Sequence, residues 1–116
     1  MKEFIIYHNP RCSKSRQALQ LLREAGIEPT IVEYLKTPPE KDALKNISQL
    51  LGLRPKDFVR KMEKDFKDNH LSECLEDDDK IIEAMSLLPK IIERPIVVSG
   101  GRAIIGRPPE NVQELI

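Results

Sequence analysis

The topology of the chain follows from residues 4–35, which read FIIYHNPRCSKSRQALQLLREAGIEPTIVEYL. The apolar run at residues 4–7 predicts a buried strand, and the β-branched stretch at residues 30–35 predicts a second one. Between them, apolar residues within 13–25 recur at the spacing of an amphipathic helix, and Gly26 stands where such a helix ends. A strand, a helix and a strand of these lengths predict a right-handed parallel crossover.

The middle of the chain is predicted to be helical. Residues 37–40, Thr-Pro-Pro-Glu, have the composition of a helix start, with a cap residue, a proline in the first position and a glutamate that completes a capping box. Three helices are predicted, over residues 38–51, near residues 55–62 and over about residues 77–88. The acidic residues 77–79 are well placed to cap the third helix, and their spacing does not predict a metal site.

The last part of the chain is predicted to form a hairpin and a short helix. Two apolar runs, residues 95–98 and 103–105, flank a Gly-Gly turn. Residues 110–116 predict a closing helix that turns Val112 and Leu115 inward. We therefore predict one α/β domain over residues 1–116, of βαβ … ββα order, with a helical insertion at about residues 38–90 between the two halves.

Composition excludes several classes of function. The chain has 19 basic and 19 acidic residues in 116, so no general polyanion-binding surface is expected. It has no Trp, two Tyr and three Phe, which leaves no aromatic platform for bases, and we predict no nucleic-acid partner. No apolar run approaches the roughly 20 residues that span a bilayer, and nothing resembles a signal peptide, so we predict no membrane partner. Two cysteines are too few for a disulfide scaffold, which favours a cytoplasmic protein with reduced thiols.

The candidate nucleophile is Cys12, in the loop between the first strand and the first helix. Unpaired amide groups and the helix dipole at such a position favour an anion. They therefore favour the thiolate of Cys12, and they can also hold an incoming oxyanion. Arg11, Lys14 and Arg16 add local positive charge.

The second cysteine and the residue after the loop limit the chemistry. Cys74 is flanked by apolar residues and followed by acidic ones, so we interpret it as structural. Ser15 stands where a Cys-x-x-Cys oxidoreductase has its second thiol. A single thiol cannot close an intramolecular disulfide in this loop, so a redox cycle at Cys12 needs an external thiol.

The loop resembles a known active site. Tyr7-His8-Asn9-Pro10-x-Cys12, followed by Ser15-Arg16, is similar to the active-site loop of the glutaredoxin-linked arsenate reductases, and closest to a shorter branch with the loop YHNPRCSKSR. The resemblance continues along essentially the whole chain, through Glu28-Pro29-Thr30, Tyr34-Leu35, Pro38-Pro39, Arg60, residues 93–98 and residues 106–110.

The resemblance implies a thioredoxin-like fold with a helical insertion and assigns roles to individual residues. Cys12 would attack arsenate or a similar oxyanion, and Arg60, Arg94 and Arg107 would bind the oxyanion. Planar guanidinium groups suit two-point binding of such anions. His8 is predicted to tune the thiol, with capping of the loop as the alternative. The bond between Arg94 and Pro95 is a candidate for the cis isomer, because only X-Pro bonds adopt it at modest cost.

The predicted function is that of an arsenate reductase acting in arsenic detoxification, with glutathione and glutaredoxin as reductants and no metal or tightly bound cofactor. One alternative is a general glutathione-dependent thiol oxidoreductase. Another is an Spx-like regulator that binds RNA polymerase and uses the loop thiol as a redox sensor.

Overall fold

A mixed four-stranded sheet organises the computed structural model, which describes residues 3–116. The strands are β1 (Phe4–His8), β2 (Thr30–Glu33), β3 (Ile96–Ser99) and β4 (Arg102–Ile105), in the spatial order β2-β1-β3-β4. β1 is parallel to β2 and antiparallel to β3, which is antiparallel to β4. β2 is two residues shorter than predicted, because the chain turns at Tyr34, whose side chain is buried.

Four α-helices and four 3₁₀ segments complete the described residues. The α-helices are α1 (Ser13–Glu24), α2 (Lys41–Leu51), α3 (Lys64–Asp68) and α4 (Asp78–Leu87). The 3₁₀ segments are Pro55–Asp57, Leu71–Cys74, Pro89–Ile91 and Pro109–Leu115. Within residues 3–116, no helix is long and apolar enough to cross a membrane.

The chain divides into two compact units. The first, the sheet unit, comprises the residues up to Thr37 together with Arg94–Ile116, and the second, the helical unit, comprises Pro38–Glu93. The sheet unit therefore contains all four strands, α1 and the last 3₁₀ segment. The single domain over residues 1–116 stays a prediction.

The core of the sheet unit joins both ends of the chain. Ala18 and Leu22 of α1 pack with strand residues and with Val112 and Leu115, all of them buried. The inward direction predicted for Val112 and Leu115 is confirmed, although their segment is a 3₁₀ helix. Three residues per turn place side chains three apart directly on one face, so this winding turns both residues to the core.

The helical unit departs from the prediction at two places. α2 begins at Lys41 with Glu40 as its cap residue, so the predicted capping box at Thr37 is wrong. Thr37 and Pro38 each precede a proline, and a residue before proline is held away from helical geometry.

The predicted helix near residues 55–62 is also wrong. A 3₁₀ turn at Pro55–Asp57 leads into an extended segment, in which Val59 bridges Ile92 and the carbonyl of Phe58 accepts a bond from the amide of Glu93. Phe58 and Val59 are both buried in this extended segment, whose pairing partners lie far along the chain and are not specified by local spacing.

Candidate active site

The loop after β1 places Cys12 at the start of α1. The amide of Cys12 donates to the carbonyl of Asn9 at 3.0 Å, and the amide of Arg11 donates to Oδ1 of Asn9 at 3.0 Å. Cys12 has an extended backbone and is the cap residue of α1, and the amide of Arg16 donates to its carbonyl. The amides of residues 13–15 precede this first intrahelical bond, so they form the positive end of the helix next to the thiol.

Ser15 ties the end of β1 to the first turn of α1. It is fully buried, its Oγ lies 2.6 Å from Nδ1 of His8, and it accepts a bond from the amide of Asn9 at 3.1 Å. Since Asn9 donates to this hydroxyl, the hydroxyl hydrogen is available to donate to Nδ1 of a neutral His8. Sequence reasoning identified Ser15 only as the position of a missing cysteine and did not predict its contact with His8.

The surroundings of His8 favour its neutral form. Its side chain is almost wholly buried, and burial lowers the pKa of His8 below its ordinary value. Glu33 opposes this shift, while Arg23 and Arg16 add to it. Nδ1 of His8 faces Ser15, so an effect of His8 on the Cys12 thiol would pass through Ser15 and the loop, and the tuning role stays a prediction.

The two cysteines belong to different units. Cys12 lies in the sheet unit and is partly exposed. Cys74 ends the 3₁₀ segment Leu71–Cys74 of the helical unit, and its thiol donates to the carbonyl of Leu71 at 3.5 Å. A backbone partner within its own turn agrees with the structural interpretation of Cys74.

Two of the predicted arginines lie at the same edge of the sheet as the loop. β1 pairs with β3 so that Tyr7 faces Ile96, and β3 pairs with β4 so that Ile96 faces Ile105. If both pairings are extended by two residues beyond the strands, residue 9 lies opposite Arg94, and Arg94 lies opposite Arg107. A bond of 3.3 Å from Nη1 of Arg107 to the carbonyl of Arg94 confirms that the arginines are neighbours.

The arginines differ in exposure, and both precede cis prolines. The Nε and Nη1 atoms of Arg94 are buried, whereas the side chain of Arg107 is exposed. The cis bond predicted between Arg94 and Pro95 is confirmed. A second cis bond, between Arg107 and Pro108, was not predicted.

Gly106 allows the strand before Arg107 to approach its neighbours. A Cβ atom at this buried position would lie 2.9 Å from Cγ of Pro95 and 3.3 Å from Cγ1 of Val112. The amide of Gly106 also donates to the carbonyl of Pro95 at 2.8 Å. The glycine therefore fixes the spacing between the two segments that carry Arg94 and Arg107, a role that the sequence pattern alone did not reveal.

Arg60 lies in the helical unit and is bound there by carboxylates. Its Nη1 is 2.6 Å from Oε1 of Glu63, and its Nε is 3.8 Å from Oε1 of Glu93. Its amide donates to the carbonyl of Ile91. The structure thus brings Arg94 and Arg107 together in the sheet unit, and it places Arg60 in the other unit, where its role toward an oxyanion stays a prediction.

Comparison with known proteins gives consistent matches over nearly the whole chain. Residues 7–115 match the family model described as the ArsC family. The chain is 45% identical to the uncharacterized protein YfgD of Escherichia coli strain K12, over 99% of this chain and 98% of that one. It is 43% identical to an arsenate reductase of Neisseria meningitidis serogroup A, over the full length of both. The solved structure of an arsenate reductase from Vibrio cholerae has a TM-score of 0.94 and 45% identity, with 98% of each chain covered. These matches confirm the predicted α/β, thioredoxin-like fold.

Proposed function

Because the chain belongs to the ArsC family, we propose that it reduces arsenate to arsenite, with Cys12 as the nucleophile and with glutathione and glutaredoxin as reductants. The observation that carries the proposal is that the amino end of α1 places Cys12 at the sheet edge where Arg94 and Arg107 are neighbours. Relatives named arsenate reductase at 43–45% identity support the same substrate.

The first step joins the thiol to arsenic. The thiolate of Cys12 attacks As(V), the Sγ–As bond forms, and one As–O bond breaks as its oxygen leaves as water. Negative charge on the remaining oxygens is stabilised by Arg94, Arg107 and the free amides at the start of α1. Donors fixed in advance by the helix and the sheet stabilise this charge without having to reorient during attack.

The second step reduces arsenic. The sulfur of glutathione attacks Sγ of Cys12, so a disulfide bond forms and the Sγ–As bond breaks. The electron pair of that bond stays on arsenic, which is reduced from As(V) to As(III) and leaves as arsenite. A glutaredoxin thiolate then attacks the glutathione sulfur and releases Cys12. The cycle requires reduced glutathione, so the proposal includes a cytoplasmic location.

His8 and Ser15 act as positioning residues in this proposal. Neutral His8 accepts the Ser15 hydroxyl, and Ser15 in turn accepts the amide of Asn9. These contacts fix the loop geometry that presents the Cys12 thiol to the helix amides. We propose that this fixed geometry is how His8 tunes the thiol.

The test is a coupled assay in which arsenate-dependent oxidation of NADPH is measured with glutathione, glutaredoxin and glutathione reductase. Cys12→Ser should abolish turnover, whereas Cys74→Ser should keep most of it. Comparable losses in both variants would contradict the single-thiol mechanism and indicate a disulfide relay between Cys12 and Cys74.

The arginines have their own test in the same assay. Arg94→Ala and Arg107→Ala should each lower arsenate turnover about a hundredfold, the usual cost of removing one donor from an oxyanion site. Arg60→Ala tests whether the third predicted arginine belongs to the site. Circular dichroism establishes that each variant folds, and near-wild-type turnover in all three would show that these arginines do not bind the oxyanion.

A second candidate, a general glutathione-dependent thiol oxidoreductase, is equally consistent with the single thiol of the loop. Ser15 replaces the second thiol and is buried against His8, so the loop works with a single sulfur whatever the substrate. This candidate predicts removal of glutathione from mixed disulfides without arsenate. It also predicts that Arg107→Ala has little effect on that reaction, because no tetrahedral oxyanion takes part in it.

A further inference from the structure

A groove of about 400 Å³ opens beside the Cys12 loop and is not used by the arsenate chemistry described above. It is lined by His8, Pro10, Arg16, Leu19, Gln20 and Arg23. Its volume lies in the range of about 300–1,000 Å³ that small-molecule sites occupy. The lining combines two arginines, an amide and an apolar wall, so it suits a polar ligand with negative charge.

The groove runs along α1 from Pro10, which lies two residues before Cys12. Arg16 and Arg23 follow Cys12 by four and eleven residues, which at 3.6 residues per turn places them on one face of the helix below the cap residue. They are seven residues apart, or about 10 Å along the helix axis. The two cations therefore form a line that starts next to the nucleophile.

The groove and the arginines at the sheet edge lie on opposite sides of the loop. Ala18 and Leu22 of α1 face Val112, which follows β4, and Ala18 also faces Gly106 at the end of β4. Arg23 lies on another face of α1 and pairs with Glu28, which lies two residues before β2. β2 and β4 are the two outer strands of the sheet. The groove therefore lies on the β2 side, whereas Arg94 and Arg107 belong to the β3–β4 side.

Both groove arginines keep donors for a ligand. Nη1 of Arg16 donates to the carbonyl of Pro10 at 2.9 Å, and Nε of Arg23 donates to both carboxylate oxygens of Glu28 at 3.1 Å. A guanidinium has five N–H groups, so each arginine retains further ones. The side chain of Arg23 is 50% exposed, which leaves it accessible from the groove.

We propose that this groove binds glutathione, with its two carboxylates on Arg16 and Arg23 and its sulfur at Cys12. The inference rests on the proposed function for the role of glutathione as reductant. Glutathione has a carboxylate at each end and its sulfur on the middle residue, and two cations on one face of α1 can each bind one of these carboxylates. Displacement at Sγ requires the attacking sulfur to approach opposite the departing arsenic, and a groove on the far side of the loop from Arg94 and Arg107 provides that direction.

The test uses no arsenate. Cys12 thiolate attacks one sulfur of glutathione disulfide, forming the protein–glutathione mixed disulfide and releasing glutathione thiolate. The same reaction with hydroxyethyl disulfide reports thiol reactivity without carboxylates. Rates with both reagents are measured, by mass spectrometry of the protein, for the wild type, Arg16→Ala and Arg23→Ala. Arg102→Ala, an exposed arginine at the opposite end of the sheet, is the matched control for the loss of one charge.

Each groove variant should slow the reaction with glutathione disulfide about tenfold, the effect of losing one charge-assisted hydrogen bond. Hydroxyethyl disulfide corrects for any change in thiol reactivity, so the ratio of the rate with glutathione disulfide to the rate with hydroxyethyl disulfide should fall about tenfold in both variants, and Arg102→Ala should change neither rate. Equal slowing with the two disulfides would assign the arginines to loop structure and overturn the proposal, as would no slowing at all. Because this test contains no arsenate, it can be interpreted even if the arsenate assay fails. If arsenate turnover is intact but the variants slow both disulfides equally, only the proposal for the groove is overturned.

Discussion

At the scale of single residues, the position of Arg107 depends on the absence of a Cβ atom at Gly106. The Pro95 ring lies where a Cβ would stand, and ring atoms of proline cannot move aside as the end of a flexible side chain can. The close approach of these segments is what makes Arg94 and Arg107 neighbours.

Gly106→Ala should therefore lower the free energy of unfolding by about 1–3 kcal/mol, the usual cost of overpacking a filled site. Urea denaturation measures the loss. Gly101→Ala is the matched control, because nothing lies within 4 Å of a Cβ at that position. A Gly106→Ala variant as stable as Gly101→Ala would contradict the packing described for this site.

The buried imidazole of His8 predicts a pH dependence of stability. Burial lowers the pKa of His8 in the folded state, so the unfolded chain binds this proton first as the pH falls below about 6.5. The contribution of His8 is therefore complete above that pH and is lost as the pH falls through the folded-state pKa. His8→Asn should lose less stability than the wild type between pH 7 and pH 5 in denaturant titrations.

The control for this titration is His70→Asn. His70 is exposed and has a positive φ of 53°, a conformation that asparagine tolerates well. The pH profile of this variant is measured in the same denaturant titrations as that of His8→Asn. If it flattened the profile as much as His8→Asn, another group would be responsible.

Sequence reasoning located Cys12 at the start of α1 and named His8, but it did not predict how His8 and Ser15 hold the loop. A cysteine between an apolar run and an amphipathic helix can be located from spacing alone, and so can its place beside the helix amides. The bond between His8 and Ser15 could not be predicted, because it depends on how the intervening loop folds back. The surroundings of Arg60 are likewise set by tertiary packing against Glu93, far along the chain.

At the scale of elements, local sequence signals predicted the structure correctly where the interacting residue lies nearby in the sequence. α4 begins as predicted, because the side chain of Asp77 accepts the amide of Lys80 at 3.2 Å and caps the helix. The helix predicted near residues 55–62 failed, because Val59 pairs with Ile92, whose position the local sequence does not specify. Strands and helices with a local cause were thus predictable, and the segment held by a distant bridge was not.

Asp77→Ala should destabilise the protein by about 0.5–2 kcal/mol, the range measured for the loss of a side-chain cap. Asp79→Ala is the control, since its exposed carboxylate makes only a 3.8 Å ion pair with Lys45 and should cost much less. Thermal denaturation of both variants measures the difference. Equal midpoints would show that the cap does not stabilise α4.

At the scale of the whole molecule, the chain forms two units of about 60 residues each. Units of this size bury only a modest share of their surface and have small stability margins on their own. The sheet unit is also assembled from two segments separated by the helical unit, so its sheet requires both ends of the chain.

We therefore expect the chain to unfold as one domain. Scanning calorimetry should give a single transition whose calorimetric enthalpy equals the van't Hoff enthalpy. Two resolved transitions, or a van't Hoff enthalpy well below the calorimetric one, would instead make the two units separate domains.

The order of the strands has a consequence for synthesis on the ribosome. β3 lies between β1 and β4, yet β3 and Arg94 are made about 80 residues after Cys12. At synthesis rates of about 5–20 residues per second, the nascent chain carries its thiol for on the order of 4–16 seconds before either sheet-edge arginine exists. During that interval the loop can react as an ordinary cysteine, but it has no guanidinium from the sheet edge with which to hold an anion. Under the proposed function, selectivity for an oxyanion is therefore acquired at the end of translation, when β3 enters the sheet beside β1.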